Sequence, residues 1–263
     1  MNRINKKFEE LQLKNKKAFI GYITAGDPSI EKTEEFVYAL EKGGTDIVEL
    51  GIPFSDPLAD GPTIQAAGAR ALNAGVTVDK IMDLVKDIRK NTEIPLLFLV
   101  YYNTIIIYGK ERFIKACEEI GVDGLIIPDL PLEERYELEE IMDYEKLCLI
   151  PLVAPTSKDR IKKIIEGCNG FVYCVSSLGV TGGKSNFFTD IRTYLQDVKK
   201  KSNLPIAVGF GVSTKEDIKE LEGYVDGVIV GSAIVQEIER SKGNIVELEK
   251  YIENLRTGLY YDK

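Results

Sequence analysis

Residues 43–51 read GGTDIVELG, and the phrase returns in altered form as GVDGLIIPD at 121–129 and YVDGVIVGS at 224–232. Glycine suits the end of a helix and aspartate the opening of a strand, so each copy marks a helix-to-strand turn. The copies are irregularly spaced, which indicates βα units rather than a solenoid repeat. The runs VELGI, LLFLV, GLIIP and GVIVG do not alternate polar with apolar residues. Continuous apolar runs are expected of parallel strands covered on both faces.

Working outward, strands are expected at 18–24, 46–50, 95–100, 124–127, 147–151, 170–175, 205–208 and 227–230. Helical periods lie between them at 30–42, 78–90, 110–120, 132–144, 158–166, 190–201 and 214–221, with a last helix at 241–256. No linker or low-complexity stretch divides the chain. Eight strand–helix units in 263 residues predict an α/β fold, a (β/α)8 TIM barrel forming one domain over 1–263. A doubly wound open sheet is the alternative on pattern alone. Ile4, Phe8 and Leu11 fall at helical spacing, so residues 1–15 are expected to form an extra N-terminal helix packed on the barrel.

Composition narrows the chemistry. The chain has 34 basic and 42 acidic residues, a formal charge of −8, with no basic stripe to suit a nucleic acid. Its longest apolar run, IPLLFLVYY at 94–102, is too short to span a bilayer, and residues 1–17 lack a secretory core. The four cysteines form no CxxC pair, as expected of reduced thiols in a cytoplasmic protein. There is no histidine. Triads, zinc sites and proton shuttles that need imidazole are excluded, and no metal site is expected.

In a barrel of this kind the active site lies at the C-terminal strand ends. Three features gather there. Glu49 stands inside an apolar strand where a buried, unpaired carboxylate is costly. No Lys or Arg lies within the expected strands to pair with it, and Gly51 leaves space on its face. A desolvated carboxylate of this kind has a raised pKa and can exchange protons near neutrality. Asp60, in LADGP, is either a second reacting carboxylate or part of a turn. Glycine-rich loops at 179–183, 209–211 and 231–233 could cradle a phosphate through backbone N–H groups or merely supply positive φ.

These residues carry a resemblance. ITAGDPS (23–29), VELGIPFSDPLADGPTIQ (48–65), YYN (101–103), PDLPLEE (128–134), GVTGG (179–183), GFGVS (209–213) and VGSAIV (230–235) are together similar to the alpha subunit of tryptophan synthase. The matches run in the family's order over nearly the whole chain. The resemblance implies a lyase that splits indole-3-glycerol phosphate into indole and glyceraldehyde 3-phosphate. It implies Glu49 and Asp60 as the catalytic carboxylates, and an indole pocket lined by Tyr22, Leu99, Tyr101, Leu125 and Tyr173. Thr181 would belong to a closing loop at 176–186. Gly182, Phe210, Gly211, Gly231 and Ser232 would hold the phosphate.

It further implies a beta-subunit partner in an alpha2-beta2 tetramer. That partner would carry pyridoxal phosphate, and this chain would carry no cofactor. Pro53, Asp56, Asp129 and Pro131 would face the partner. The chain departs from the family at Gly21-Tyr22, where Pro-Phe is usual, and at Thr104, where proline is usual.

Cleavage of this aldol type needs an electron sink. No lysine lies at a strand mouth for a Schiff base, and histidine ligands for a metal are absent. Protonation of the indole ring at C3 removes the need for either. A stand-alone lyase without a beta partner and a non-catalytic phosphate-binding regulatory subunit are the competing readings.

Overall fold

The recurring phrase builds the floor of a ring of strands in the computed structural model, which describes residues 1–175, 184–209 and 211–259, with backbone alone at 184–190. The strands are β1 (Ala18–Thr24), β2 (Ile47–Gly51), β3 (Leu96–Leu99), β4 (Gly124–Ile126), β5 (Cys148–Leu149), β6 (Leu152–Val153), β7 (Val172–Val175), β8 (Ile206–Gly209) and β9 (Gly227–Val230). Asp46, Asp123 and Asp226 each stand just before a strand and grip the neighbouring one at two points. Their N–H groups donate to the carbonyls of Phe19, Leu96 and Ile206, each at 2.8 Å. Their carboxylates accept the N–H groups of the same three residues at 2.8–2.9 Å. Strand ends that would otherwise leave backbone N–H groups unpaired are thereby closed.

All neighbouring strands pair in parallel, in the order β5-β4-β3-β2-β1-β9-β8-β7-β6. The two ends of that order are consecutive in the chain. The fifth expected strand, 147–151, holds β5, and the stave runs on past that end into β6: β5 pairs with β4, and β6 pairs with β7. The Ile150 N–H donates to Leu125 on one side, while the Pro151 carbonyl accepts from Tyr173 on the other. Alternate residues of the stave thus bond opposite neighbours, Cys148 and Ile150 towards β4 and Pro151 towards β7, and the ring closes through the chain itself. The fold is the TIM barrel expected from the pattern.

The helices are α1 (Arg3–Leu13), α2 (Ile30–Lys42), α3 (Pro62–Asn73), α4 (Val78–Ile88), α5 (Tyr102–Tyr108) and α6 (Lys110–Ile120). They continue as α7 (Tyr136–Glu139), α8 (Ile161–Ile165), α9 (Lys184–Lys201), α10 (Lys215–Leu221), α11 (Ser232–Arg240) and α12 (Ile245–Arg256). Strand side chains divide by parity. Phe19, Val48, Leu50, Phe98, Val208 and Val228 pack outward against the helices. Ile20, Tyr22, Ile47, Leu97, Leu99, Ile126, Phe171 and Tyr173 point inward, joined by Ile4, Phe8 and Leu11 of α1. That helix covers the N-terminal end of the barrel, with the Phe8 and Phe171 rings 5.5 Å apart. The opposite end stays available for chemistry.

Three helices, α3, α5 and α11, go beyond the periodicity read from the sequence. Helix α3 is rich in Ala and carries a glycine, and α5, YNTIIIY, has strand-like composition. The Asp129 carboxylate accepts the Tyr102 N–H at 2.8 Å and caps α5 from another loop. The single helix expected at 132–144 is a 3₁₀ turn, Leu132–Glu134, followed by the short α7.

Candidate active site

Glu49 sits in β2 between Tyr22 of β1 and Leu97 of β3, directly in register with both. Its exposure is 1%. Its Oε2 has no hydrogen-bond partner among the described residues. Burial, with the nearby Asp60 charge adding to it, pushes its carboxyl from the ordinary 4.5 to about 8. The group is therefore neutral and proton-bearing at pH 7, as a general acid must be.

Asp60 lies on the segment between β2 and α3. Its N–H reaches the Pro57 carbonyl at 3.3 Å, and its own carbonyl accepts from Gln65 Nε2 at 2.8 Å. Burial raises its carboxyl to about 6, opposed by the neighbouring Tyr101 hydroxyl. Asp60 is thus mostly ionised at pH 7 while Glu49 is not. Two carboxylates with separated titrations divide acid from anion.

Both border one cavity of about 180 Å³ at the C-terminal strand ends, with Tyr22, Leu99, Tyr173, Gly211, Gly231 and Ser232. Two glycines shape it. A Cβ on Gly51 would lie 2.1 Å from the Tyr22 hydroxyl, and one on Gly209 would lie 2.4 Å from the Tyr173 hydroxyl. The space at Gly51 that the sequence suggests is thus filled by the Tyr22 ring, whose hydroxyl stands 3.3 Å from Thr24 Oγ1. Burial drives the Tyr22 and Tyr173 hydroxyls well above their ordinary range. They serve as neutral walls and not as acids. At the far side, Gly231 begins α11 without a side-chain cap, so the helix presents its first-turn N–H groups where Ser232 and Ala233 meet the cavity. Such a helix start suits an anion.

A roomier cleft of about 330 Å³ lies beside α1 at the opposite end. Its Lys17 and Lys199 ammonium groups both reach Asp226. It holds no unpaired buried acid of the Glu49 kind, and the smaller cavity is the better seat for chemistry.

The remaining expected residues fall in several places. Leu125 is not brought to the cavity: it packs outward with the helix-facing cluster, and the inward position on β4 belongs to Ile126. A shift of one residue on a strand exchanges its faces. Tyr101 is buried beside the cavity and binds the Asp60 segment. Thr181, Gly182 and Phe210 lie outside the described residues, as does the expected closing loop over 176–183, while residues 184–186 begin α9. Asp56 and Pro131 are exposed and Pro53 half-buried on this rim, and Asp129 caps α5.

The cavity also uses Ile64, Val212, Ser213 and Ile229, which the sequence pattern did not single out. Alternation with Gly231 along β9 would have found Ile229; Ile64 required recognising α3.

Among the described residues no group of three His, Cys, Asp or Glu could hold a metal ion. None of their helices is long and apolar enough to cross a membrane.

A family model described as tryptophan synthase alpha chain matches residues 8–259. The tryptophan synthase alpha chain of Thermoanaerobacter sp. (strain X514) is 53% identical, covering 98% of this chain and all of the relative. That of Thermoanaerobacter pseudethanolicus is 56% identical over 91% of this chain and 92% of the relative. Among solved structures, tryptophan synthase subunit alpha from Legionella pneumophila superposes with a TM-score of 0.90 at 35% identity, covering 98% of both chains. With a buried acid, aromatic walls and an anion-ready helix start in one barrel mouth, and with relatives of this likeness over nearly its full length, the chain belongs to the tryptophan synthase alpha chain family.

Proposed function

We propose that the chain cleaves indole-3-glycerol phosphate to indole and glyceraldehyde 3-phosphate, with Glu49 as acid–base and Asp60 as the stabilising anion. The observation that carries this reading is Glu49: a carboxyl 1% exposed, without an ion pair among the described residues, at the mouth of the barrel. The indole ring would stand between the Tyr22, Leu99 and Tyr173 side chains, and the phosphate at Gly211, Gly231 and Ser232 beside the start of α11.

Glu49 delivers its proton to C3 of the ring, which becomes an iminium-like cation. Asp60 accepts the ring N–H and stabilises that charge. The bond from C3 to the glycerol carbon then breaks, and its electrons restore the neutral indole. The hydroxyl on that carbon becomes the aldehyde as Glu49, now a carboxylate, takes its proton. Each product leaves with Glu49 protonated again. No cofactor in this chain takes part.

Incubating the chain with indole-3-glycerol phosphate, alone and with a beta subunit, should release indole and glyceraldehyde 3-phosphate in equal amounts. Failure of release under both conditions would leave a non-catalytic binding role.

Family membership implies a beta-subunit partner, where pyridoxal phosphate and the synthesis of tryptophan are placed; an alpha2-beta2 tetramer in the cytoplasm is the assembly we infer. Exposed apolar side chains on the cavity rim support docking there. Leu58 is 95%, Ile107 78% and Ile106 52% exposed. Pro53, Asp56, Asp129 and Pro131 stand on neighbouring loops of the same end. Ile107→Asp should weaken capture of a beta subunit by about tenfold or more, roughly 1.4 kcal/mol. Indole release by the isolated variant should be unchanged. Undiminished binding, measured by calorimetry, would move the interface elsewhere.

A further inference from the structure

Asp60 belongs to a segment of prolines and small residues that is half-buried or exposed throughout 53–61, yet the proposed chemistry needs its carboxylate in one place. Tyr101 holds that segment by its ring and by its hydroxyl. Its ring stacks on Phe54, with centroids 5.0 Å apart and planes 25° apart. Its hydroxyl oxygen accepts the Ala59 N–H at 3.0 Å. The same hydroxyl stabilises the ionised Asp60 carboxylate against the effect of burial. Tyr101 itself is 2% exposed and follows β3 just before α5, so its own position is set by the barrel.

A phenol oxygen that accepts the Ala59 N–H still has its own hydrogen to offer the next residue of the loop, Asp60. Tyr101 is also expected to line the indole pocket. That role would require only its ring.

We propose that Tyr101 is the positioning residue of the catalytic segment, clamping residues 54, 59 and 60 so that the Asp60 carboxylate faces the cavity before substrate arrives. The inference rests on the reading of Asp60 as the stabilising anion. It assigns the hydroxyl a task that no contact with the indole ring would provide. The hydroxyl favours the ionised form of Asp60, so its loss must make that carboxylate harder to ionise.

Tyr101→Phe keeps the ring and its stacking while removing the hydroxyl that binds the Ala59 N–H and stabilises the Asp60 carboxylate. In the full chain, kcat at pH 7 should fall by about tenfold, the scale of one hydrogen bond to a charged group, with KM changed by less than about twofold. The acidic limb of the pH profile should move to higher pH. Carboxyl-carbon NMR, with the Asp60 signal assigned by its loss in Asp60→Asn, should show the titration of Asp60 moving the same way. Tyr101→Leu, which also loses the stacked ring, should move it at least as far.

An Asp60 titration unmoved in Tyr101→Phe would overturn the clamp. So would a loss of activity carried by KM and uniform across pH, since that is the mark of a pocket wall. If the Asp60 signal moves while the pH profile does not, the clamp stands and the catalytic reading of Asp60 falls.

Discussion

Glu49→Gln should lose indole release by at least about a hundredfold, the lower range for removing a general acid–base group. Glutamine occupies the same volume and cannot deliver the proton. The barrel and the phosphate end of the cavity should persist, so a glycerol phosphate analogue should still bind. Near-normal turnover would reassign the acid.

A second consequence is thermodynamic and independent of turnover. The ordinary glutamate value of 4.5 rises to about 8 in the fold, chiefly through burial. The folded state therefore retains a proton that the unfolded chain releases between those values. The stability this confers is complete below about 4.5 and is lost as pH climbs through about 8. Every tenfold gain in proton affinity is worth about 1.4 kcal/mol, so the effect reaches a few kcal/mol at alkaline pH. Because glutamine does not ionise, Glu49→Gln should unfold at higher urea than the wild type at pH 9 and at similar urea at pH 4.5. A variant less stable at pH 9 would show that the carboxylate has a partner in the fold.

Asp60→Asn should reduce kcat/KM by about 10²–10³-fold, the scale for removing one preorganised stabilising group. Asparagine can still accept the ring N–H but brings no charge to a cationic intermediate. The pH profile separates this from a turn defect. Wild-type activity should fall below about pH 6, where Asp60 takes up a proton, and above about pH 8, where Glu49 loses its own. In Asp60→Asn the acidic limb should vanish. The alkaline limb should move to lower pH, because the Asp60 charge that helps raise Glu49 has gone. A variant with the original acidic limb would return Asp60 to a role in the turn alone.

Much of this was legible in the chain. The three aspartates that open strands could be read as junctions from the glycine and apolar run beside each, although the hydrogen bonds they make reach strands 20–27 residues away. Glu49 stood out because its neighbours are apolar and no strand supplies a cation. Helix α5 was hidden because its isoleucines and tyrosines favour strands, and its start is capped by Asp129 from a distant loop. Helix α3 was hidden behind the DGP turn signal, although proline at a first helical position is a recognised start. The choice between Leu125 and Ile126 hinged on a single residue of register in a run where every side chain is apolar.

What the sequence by itself determined are properties of composition and short range: alternating parallel strands and helices, a histidine-free acid chemistry, and one carboxylate placed in an apolar strand. Only the tertiary structure decided which residues meet. The stave that bonds β4 through Ile150 and β7 through Pro151, the Tyr22 ring over Gly51 and the Tyr101 hydroxyl on the Ala59 N–H join segments far apart in the chain. Such contacts form where closure of the ring brings strand ends together, and a one-dimensional pattern carries no record of that distance.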